Sequence, residues 1–246
     1  MTVEADVSIP SVNGGKLPGF LARPEDDGAP APALVMIYEA FGMTPEMRRI
    51  ARELAHAGYT VLIPDLFARG RVKPLCVAST MTTMLTGRGA ALGDCESARR
   101  WLADQPTVDA DRIGVVGFCM GGGFALLLSQ TGLYRVAVPF YGRTAARVEP
   151  VCPVVASFGG RDLEFRDGYP QRLEADLAER GIPHDVRVYP DAGHSFMTRT
   201  PGVPGAIAKR IPMHAEYHEP SATDATRRVL TFLAEHLGPG QDGGRE

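Results

Sequence analysis

The order of apolar runs constrains this chain more than any other feature. From Ala33 onward, short runs that are apolar on both faces alternate with longer amphipathic segments. "ALVMIY" (Ala33 to Tyr38), "TVLIP" (Thr60 to Pro64), "RIGVVGF" (Arg112 to Phe118), "RVAVPFY" (Arg135 to Tyr141), "PVVASFG" (Pro153 to Gly159) and "HDVRVYP" (His184 to Pro190) read as strands. Helices are expected near Pro45 to Ala57, near Gly89 to Ala103, directly after Cys119, near Tyr169 to Arg180, and from about Ala222 to Leu237. A strand with no polar face has to be covered on both sides, so the pattern implies a mostly parallel sheet with helices on both faces, an α/β class. Ahead of it, Val3 to Ile9 and Leu17 to Ala22, joined through Asn13-Gly14-Gly15, read as an N-terminal β-hairpin. "PEDDGAPAP" (Pro24 to Pro32) is too polar and proline-rich for the core and reads as a surface connector. The stretches Arg69 to Gly89 and Thr198 to Pro220 read as loops bordering a site.

With 246 residues, 44% of them hydrophobic and 22% charged, the chain can bury a sizeable core, which excludes global disorder. There is no internal repeat and no long linker, so a single domain over 1–238 with a flexible tail at 239–246 is expected. A formal charge of -3 gives no electrostatic case for nucleic acid or an anionic membrane and points to a small-molecule partner. "MTVEADVSIP" has neither the basic start nor the apolar core of a signal peptide, and no run approaches spanning length, so a cytoplasmic protein is expected. Cys76, Cys95, Cys119 and Cys152 are widely spaced and suggest neither a disulfide framework nor a structural zinc site. "HAEYH" (His214 to His218) spaces two histidines as i, i+4, but its acid is displaced from the H-E-x-x-H pattern, and no metal site is expected. Gly114, Gly117 and Gly121 lack dinucleotide-binding spacing, and no cofactor is expected.

The chemistry centres on "GFCMGGG" (Gly117 to Gly123). Ligands of such a sheet bind beyond the carboxyl ends of the strands, and Cys119 follows one strand and precedes a helix. Gly117-x-Cys119-x-Gly121 is the nucleophile elbow G-x-S-x-G with sulfur in place of oxygen. Side chains at the glycines would collide with strand and helix in so sharp a turn, and a helix N-terminus beneath the sulfur favours a thiolate. The bland alternative makes Cys119 a small core residue ahead of a tightly packed helix. An elbow nucleophile needs an acid and then a histidine later in the chain. Asp162 follows "VVASFGGR" and His194 follows "VRVYPDAG", each in a turn after one of the last two strands and so on the same sheet edge as Cys119. Taken singly, Asp162 would be a turn residue and His194 a surface histidine; their order favours a relay in which Asp162 orients His194 and His194 moves the proton.

"YEAFGMTPEMRRIARELAHAGYTVLIPDLFAR", "GFCMGG", "GGRDLEF" and "DAGHSF" resemble the corresponding blocks of the dienelactone hydrolase family, cysteine hydrolases with the α/β-hydrolase fold. The likeness runs from residue 3 to residue 237 and includes "YHEPSATDATRRVLTFLAEHL". It implies that Cys119, Asp162 and His194 hold the triad positions, and that Glu39 is a fourth acid near the thiol, where the alternative is a structural acid paired with an arginine. With it goes an oxyanion hole formed by the backbone N–H groups of Ala40 and Met120. The resemblance also implies a carboxylate-bearing ester or lactone, with Arg69 in "PDLFAR" as its guanidinium partner. A second family arginine falls four residues after the histidine, where this chain has Thr198, and Arg199 stands one place late. The expected function is therefore a cofactor-free, dienelactone hydrolase-like ester or lactone hydrolase working through an acyl-enzyme. The competing readings are an esterase or thioesterase for another small acyl substrate, and a non-catalytic or redox-sensing thiol protein, which would need no acid and histidine.

Overall fold

Strands form where the chain carries unbroken β-branched and aliphatic runs, and those runs lie at the centre of one eight-stranded sheet. The computed structural model describes residues 1–25, 29–68, 72–199 and 215–238. The strands are β1 (Thr2–Pro10), β2 (Lys16–Pro24), β3 (Ala31–Ile37), β4 (Thr60–Pro64), β5 (Val108–Phe118), β6 (Ala137–Phe140), β7 (Val154–Gly159) and β8 (His184–Tyr189), and their spatial order is β1-β2-β4-β3-β5-β6-β7-β8. β3 to β8 run parallel to their neighbours, and the β1-β2 hairpin joins antiparallel at β4. Every residue of β4, β6 and β7 is buried, as a sheet covered on both faces requires.

The helices are α1 (Pro45–His56), α2 (Lys73–Thr86), α3 (Ala90–Ala103), α4 (Met120–Leu128), α5 (Tyr169–Glu179) and α6 (Glu219–Leu237). Thr44 caps α1, its side chain accepting the Met47 N–H at 3.3 Å ahead of Pro45 in the first turn. α1 and α6 border the sheet face that carries Leu34, Val116, Phe118 and Phe140. Gly117 lies between Val116 and Phe118 in β5 and so faces the opposite side, where α4 approaches. None of the helices among the described residues is long and apolar enough to cross a membrane.

Two elements depart from the expectations. α2 occupies most of a stretch read as loop, because its threonines interrupt any clean apolar face. Their hydroxyls instead turn back onto the preceding helical turn: Thr80 to Cys76 O at 2.8 Å, Thr82 to Ala78 O at 2.9 Å, Thr83 to Ser79 O at 2.8 Å and Thr86 to Thr82 O at 2.7 Å. α6 starts three residues before Ala222, with Pro220 in its first turn, where a missing N–H costs nothing. At the connector after β2, Pro24 ends that strand and Ala31 already begins β3, while residues 26–28 lie outside the described residues. The expected tail at 239–246 lies outside them too.

Parallel register brings the ends of β3, β5, β6 and β7 to one edge: Ile37 pairs with Gly117, Phe118 with Phe140, and Phe140 with Ser157. α4 meets this edge almost backbone to backbone. A Cβ on Gly117 would lie 1.9 Å from Gly121 O, and one on Gly121 would lie 2.1 Å from Ile37 O. Neither neighbour is a flexible side chain that could yield, so glycine is required at both positions. Gly121→Ala is expected to lower unfolding stability by about 1–3 kcal/mol through this overpacking, as read from the denaturant midpoint.

Candidate active site

Cys119 sits at the tip of the turn between β5 and α4, with φ 53° and ψ -114°, and its N–H donates to Phe140 O at 3.0 Å. Positive φ is costly for a residue with a side chain, and among the described residues only Cys119, Tyr141 and Ser195 adopt it without being glycine. All three stand at the sheet edge where the strands end. Cys76, Cys95 and Cys152 are buried free thiols, whereas Cys119 is partly exposed at the helix N-terminus. The β5 to α4 turn therefore leaves Cys119 partly exposed while it still packs against the edge of the core.

The acid and the histidine arrive from the next parallel strands. Asp162 follows β7 and His194 follows β8, and both are almost fully buried. His194 Nδ1 donates to Asp162 Oδ2 at 2.5 Å, while Asp162 Oδ1 accepts the Glu164 N–H at 3.0 Å. One carboxylate oxygen is thus anchored by backbone and the other fixes the imidazole, leaving Nε2 directed away from the acid. Burial by itself pushes the His194 pKa down. The Asp162 hydrogen bond and the Cys119 sulfur outweigh that and hold it up at about 10. Nε2 makes no hydrogen bond of ordinary geometry, yet the sulfur is near enough to favour the imidazolium. Asp162, Glu164 and His194 each bring a potential ligand atom within 4.8 Å of the others. Asp162 already engages Nδ1, so this donor set suits an oriented imidazole better than a cation.

Glu39 lies just past β3, buried, and among the described residues it has no lysine or arginine partner of the kind its structural alternative supposed. Its Oε1 accepts from the Tyr141 hydroxyl at 3.2 Å and from Thr198 Oγ1 at 3.2 Å. Burial raises the Glu39 pKa, against the opposing pull of the Ser195 hydrogen bond, the His194 charge and the other two hydroxyls. The Tyr141 ring also sits 5.1 Å from that of His194, and its own ionisation is pushed well up, chiefly by burial and then by Glu39. Tyr141 and Ser195 carried no signal in the sequence: Tyr141 ends the apolar run "RVAVPFY", and Ser195 stands within "DAGHSF" with no role of its own. Ala40 and Met120 flank this centre, and neither backbone N–H has an acceptor among the described residues.

Arg69 lies outside the described residues. Arg199 does not join Glu39 or His194; its N–H donates to Glu46 Oε1 at 2.9 Å, its guanidinium donates to the Tyr217 hydroxyl at 3.3 Å, and it stacks 4.7 Å from that ring. It lines a cavity of about 640 Å³ between α1 and α6 that Cys119, Glu39 and His194 do not border. Of the two histidines in "HAEYH", His214 lies outside the described residues, and His218 Nδ1 is 2.8 Å from Ser221 Oγ at the start of α6.

A parallel sheet with a hairpin edge, a glycine-lined elbow and a buried Asp-His pair beyond the following strands together define an α/β-hydrolase. The model of the dienelactone hydrolase family matches residues 17–237, and the chain belongs to that family. It is 31% identical over 253 residues to a Bradyrhizobium protein named "Probable 2-oxo-3-(5-oxofuran-2-ylidene)propanoate lactonase", with 96% of each chain covered. It is 29% identical over 255 residues to the carboxymethylenebutenolidase of Rhodococcus opacus, covering 94% of this chain and 93% of that one. A dienelactone hydrolase-like promiscuous phosphotriesterase from metagenomic libraries shares the fold with a TM-score of 0.80 at 22% identity, covering 96% and 98% of the two chains. The protein is a hydrolase of ester or lactone bonds.

Because the folded-state pKa of His194 is raised from 6.5 to about 10, its protonated form contributes stability that is complete below about 6.5 and is lost as pH rises through about 10. Asp162→Asn is expected to bring the imidazole titration down towards neutrality and to remove that alkaline loss, as followed by NMR titration of His194 and by unfolding at several pH values.

Proposed function

We propose that the protein hydrolyses small carboxylic esters or lactones with Cys119 as nucleophile, His194 as proton carrier and Asp162 as its anchor. The observation that carries this reading is the placement of Cys119: it is the one partly exposed cysteine, held at positive φ on the elbow beside an imidazole whose other nitrogen is fixed at 2.5 Å by a buried acid. A cationic His194 stabilises negative charge on the sulfur. The thiolate adds to the carbonyl carbon, and the resulting oxyanion is met by the N–H groups of Ala40 and Met120. As the C–O bond breaks, His194 gives its proton to the departing alkoxide, leaving a thioester on Cys119; for a lactone the alcohol stays tethered to the acyl chain. Water then gives one proton to His194 as its hydroxide attacks the thioester; collapse expels the Cys119 thiolate and releases the carboxylic acid, whose proton passes to solvent, so that carboxylate, thiolate and imidazolium remain.

The lactonase and carboxymethylenebutenolidase relatives favour a lactone that carries a carboxylate, and Arg69 is the residue we assign to it. A neutral small acyl substrate, in an esterase or thioesterase reaction, is the second reading. It is supported by the Thr198 hydroxyl beside Glu39 and by the engagement of Arg199 with Tyr217 instead. The single sheet supports one catalytic domain over 1–238, and four free thiols fit a reducing, cytoplasmic setting.

Cys119→Ala should reduce ester turnover to at most about one-thousandth with the fold retained by circular dichroism, whereas Cys152→Ser should stay active; substantial turnover without the Cys119 sulfur would sink the mechanism. Arg69→Met should weaken kcat/KM for a carboxylate-bearing lactone by about 1.5–3 kcal/mol while sparing a neutral ester of similar size. Equal losses on both substrates would leave the neutral-substrate reading standing.

A further inference from the structure

The steps above use one acid against His194, yet a second carboxyl faces the same nitrogen. Glu164 stands two residues after Asp162, in the short 3-10 turn Leu163–Phe165, and its Oε2 lies 3.9 Å from His194 Nδ1. Asp162 Oδ2 holds that nitrogen at 2.5 Å, and the three side chains bring potential ligand atoms within 4.8 Å of one another. No step of the hydrolysis calls on Glu164.

The Glu164 backbone is fixed, whereas its carboxyl is not. The N–H donates to Asp162 Oδ1 at 3.0 Å, and the carbonyl accepts from the Arg143 guanidinium at 2.7 Å. Arg143 comes from the chain just past β6, donates to Asp167 at 3.2 Å and lies over the Tyr169 ring, so the turn is pinned from a neighbouring strand end. The Glu164 carboxyl makes no hydrogen bond among the described residues, and within 4.0 Å His194 is its one ion-pair partner among them. A side chain that is 36% exposed has room to swing, and about 1 Å of movement would carry Oε2 from ion-pair distance to hydrogen-bond distance of Nδ1.

An imidazolium that faces two carboxylates has a defined effect on its own titration. While charged, it offsets the repulsion between Asp162 and Glu164; once its proton has left, the two acids face a neutral ring and repel without compensation. The neutral imidazole is thereby disfavoured. The charged and titratable groups facing Glu164 are His194 after β8, Asp162 after β7, Arg143 after β6 and Asp167 of its own turn. Those facing His194 are Asp162 and the Cys119 sulfur, with Glu39 and the Tyr141 ring on the side towards β3 and β6.

We propose that Glu164 is a second positioning acid for His194, which favours the imidazolium alongside Asp162 and takes over Nδ1 when Asp162 cannot hold it. The proposal rests on the cysteine-hydrolase reading for the use made of the proton, but not for the geometry.

The test is an NMR titration of His194, its resonance identified as the one lost in His194→Gln, in a Cys119→Ala background that removes the charge of the sulfur. Glu164→Gln keeps the shape and both backbone hydrogen bonds, so a merely structural Glu164 would leave the titration where it was. It should instead fall by about half a pH unit or more, the effect of one charge about 4 Å away in surroundings close to water. Glu164→Asp, with its charge one methylene further back, should fall less, and Glu164→Ala should repeat the glutamine result if glutamine disturbs the turn. When Asp162→Asn is already present, Glu164→Gln should lower the titration further, by about one pH unit or more, because a charged hydrogen bond is then lost. A titration unmoved in the glutamine and alanine variants would overturn the proposal, as would a fall in the Asp162→Asn background no larger than in its absence. Every variant lacks the sulfur, so these results stand apart from the hydrolase reading, which is decided by turnover in Cys119→Ala.

Discussion

The site depends on one steric fact: the first turn of α4 approaches the ends of β3 and β5 with no room for a side chain between them. Gly117 and Gly121 lie so close to Gly121 O and Ile37 O that a Cβ at either would fall inside van der Waals contact. Gly142, at the next strand end, is equally confined, since a Cβ there would lie 2.3 Å from the Gly122 carbonyl carbon. With helix and strands locked together at this distance, the single residue at the bend is forced out of ordinary backbone space and is left partly exposed at the margin of the core. The positive φ at Cys119 is sustained by the close packing of the glycines on either side of it.

Parallel strand direction converts that local constraint into a constellation. Because β3, β5, β6, β7 and β8 run the same way, the residues following each of them meet at one edge: Glu39, Cys119, Tyr141, Asp162 and His194. The two buried acids there are each met by a neighbour from a different strand end. Asp162 spends one oxygen on its own turn and the other on His194, and Glu39 is held by hydroxyls from two other elements. Burying such groups without partners would cost more than the fold could spare.

Membership of the dienelactone hydrolase family fixes the framework, and the departures within it bear on specificity. Thr198 stands where the family resemblance leads one to expect an arginine, and the nearby Arg199 has turned to α1 and Tyr217. Glu39 is met here by neutral hydroxyl donors from Tyr141 and Thr198.

Much of this was legible in the chain itself. Runs such as "TVLIP" and "PVVASFG" have no polar face, and burial on both sides follows from that alone; the structure places β4 and β7 within a residue of where those runs begin and end. Cys119, Asp162 and His194 could be ordered on one edge because each lies in the turn that follows a strand, and position after a strand is a local property. α2 escaped notice because its threonine hydroxyls are satisfied within the helix, a pairing that no apolar periodicity announces. Only the tertiary structure decided that Tyr141 and Ser195 come beside Glu39, that Arg199 turns to Glu46 and Tyr217, and that Glu39 is met by hydroxyls. Those outcomes depend on side-chain direction at positive φ and on contacts between residues as far apart as Glu39 and Thr198. Sequence determines which residues end strands; which of their atoms face one another is settled when the strands are brought side by side.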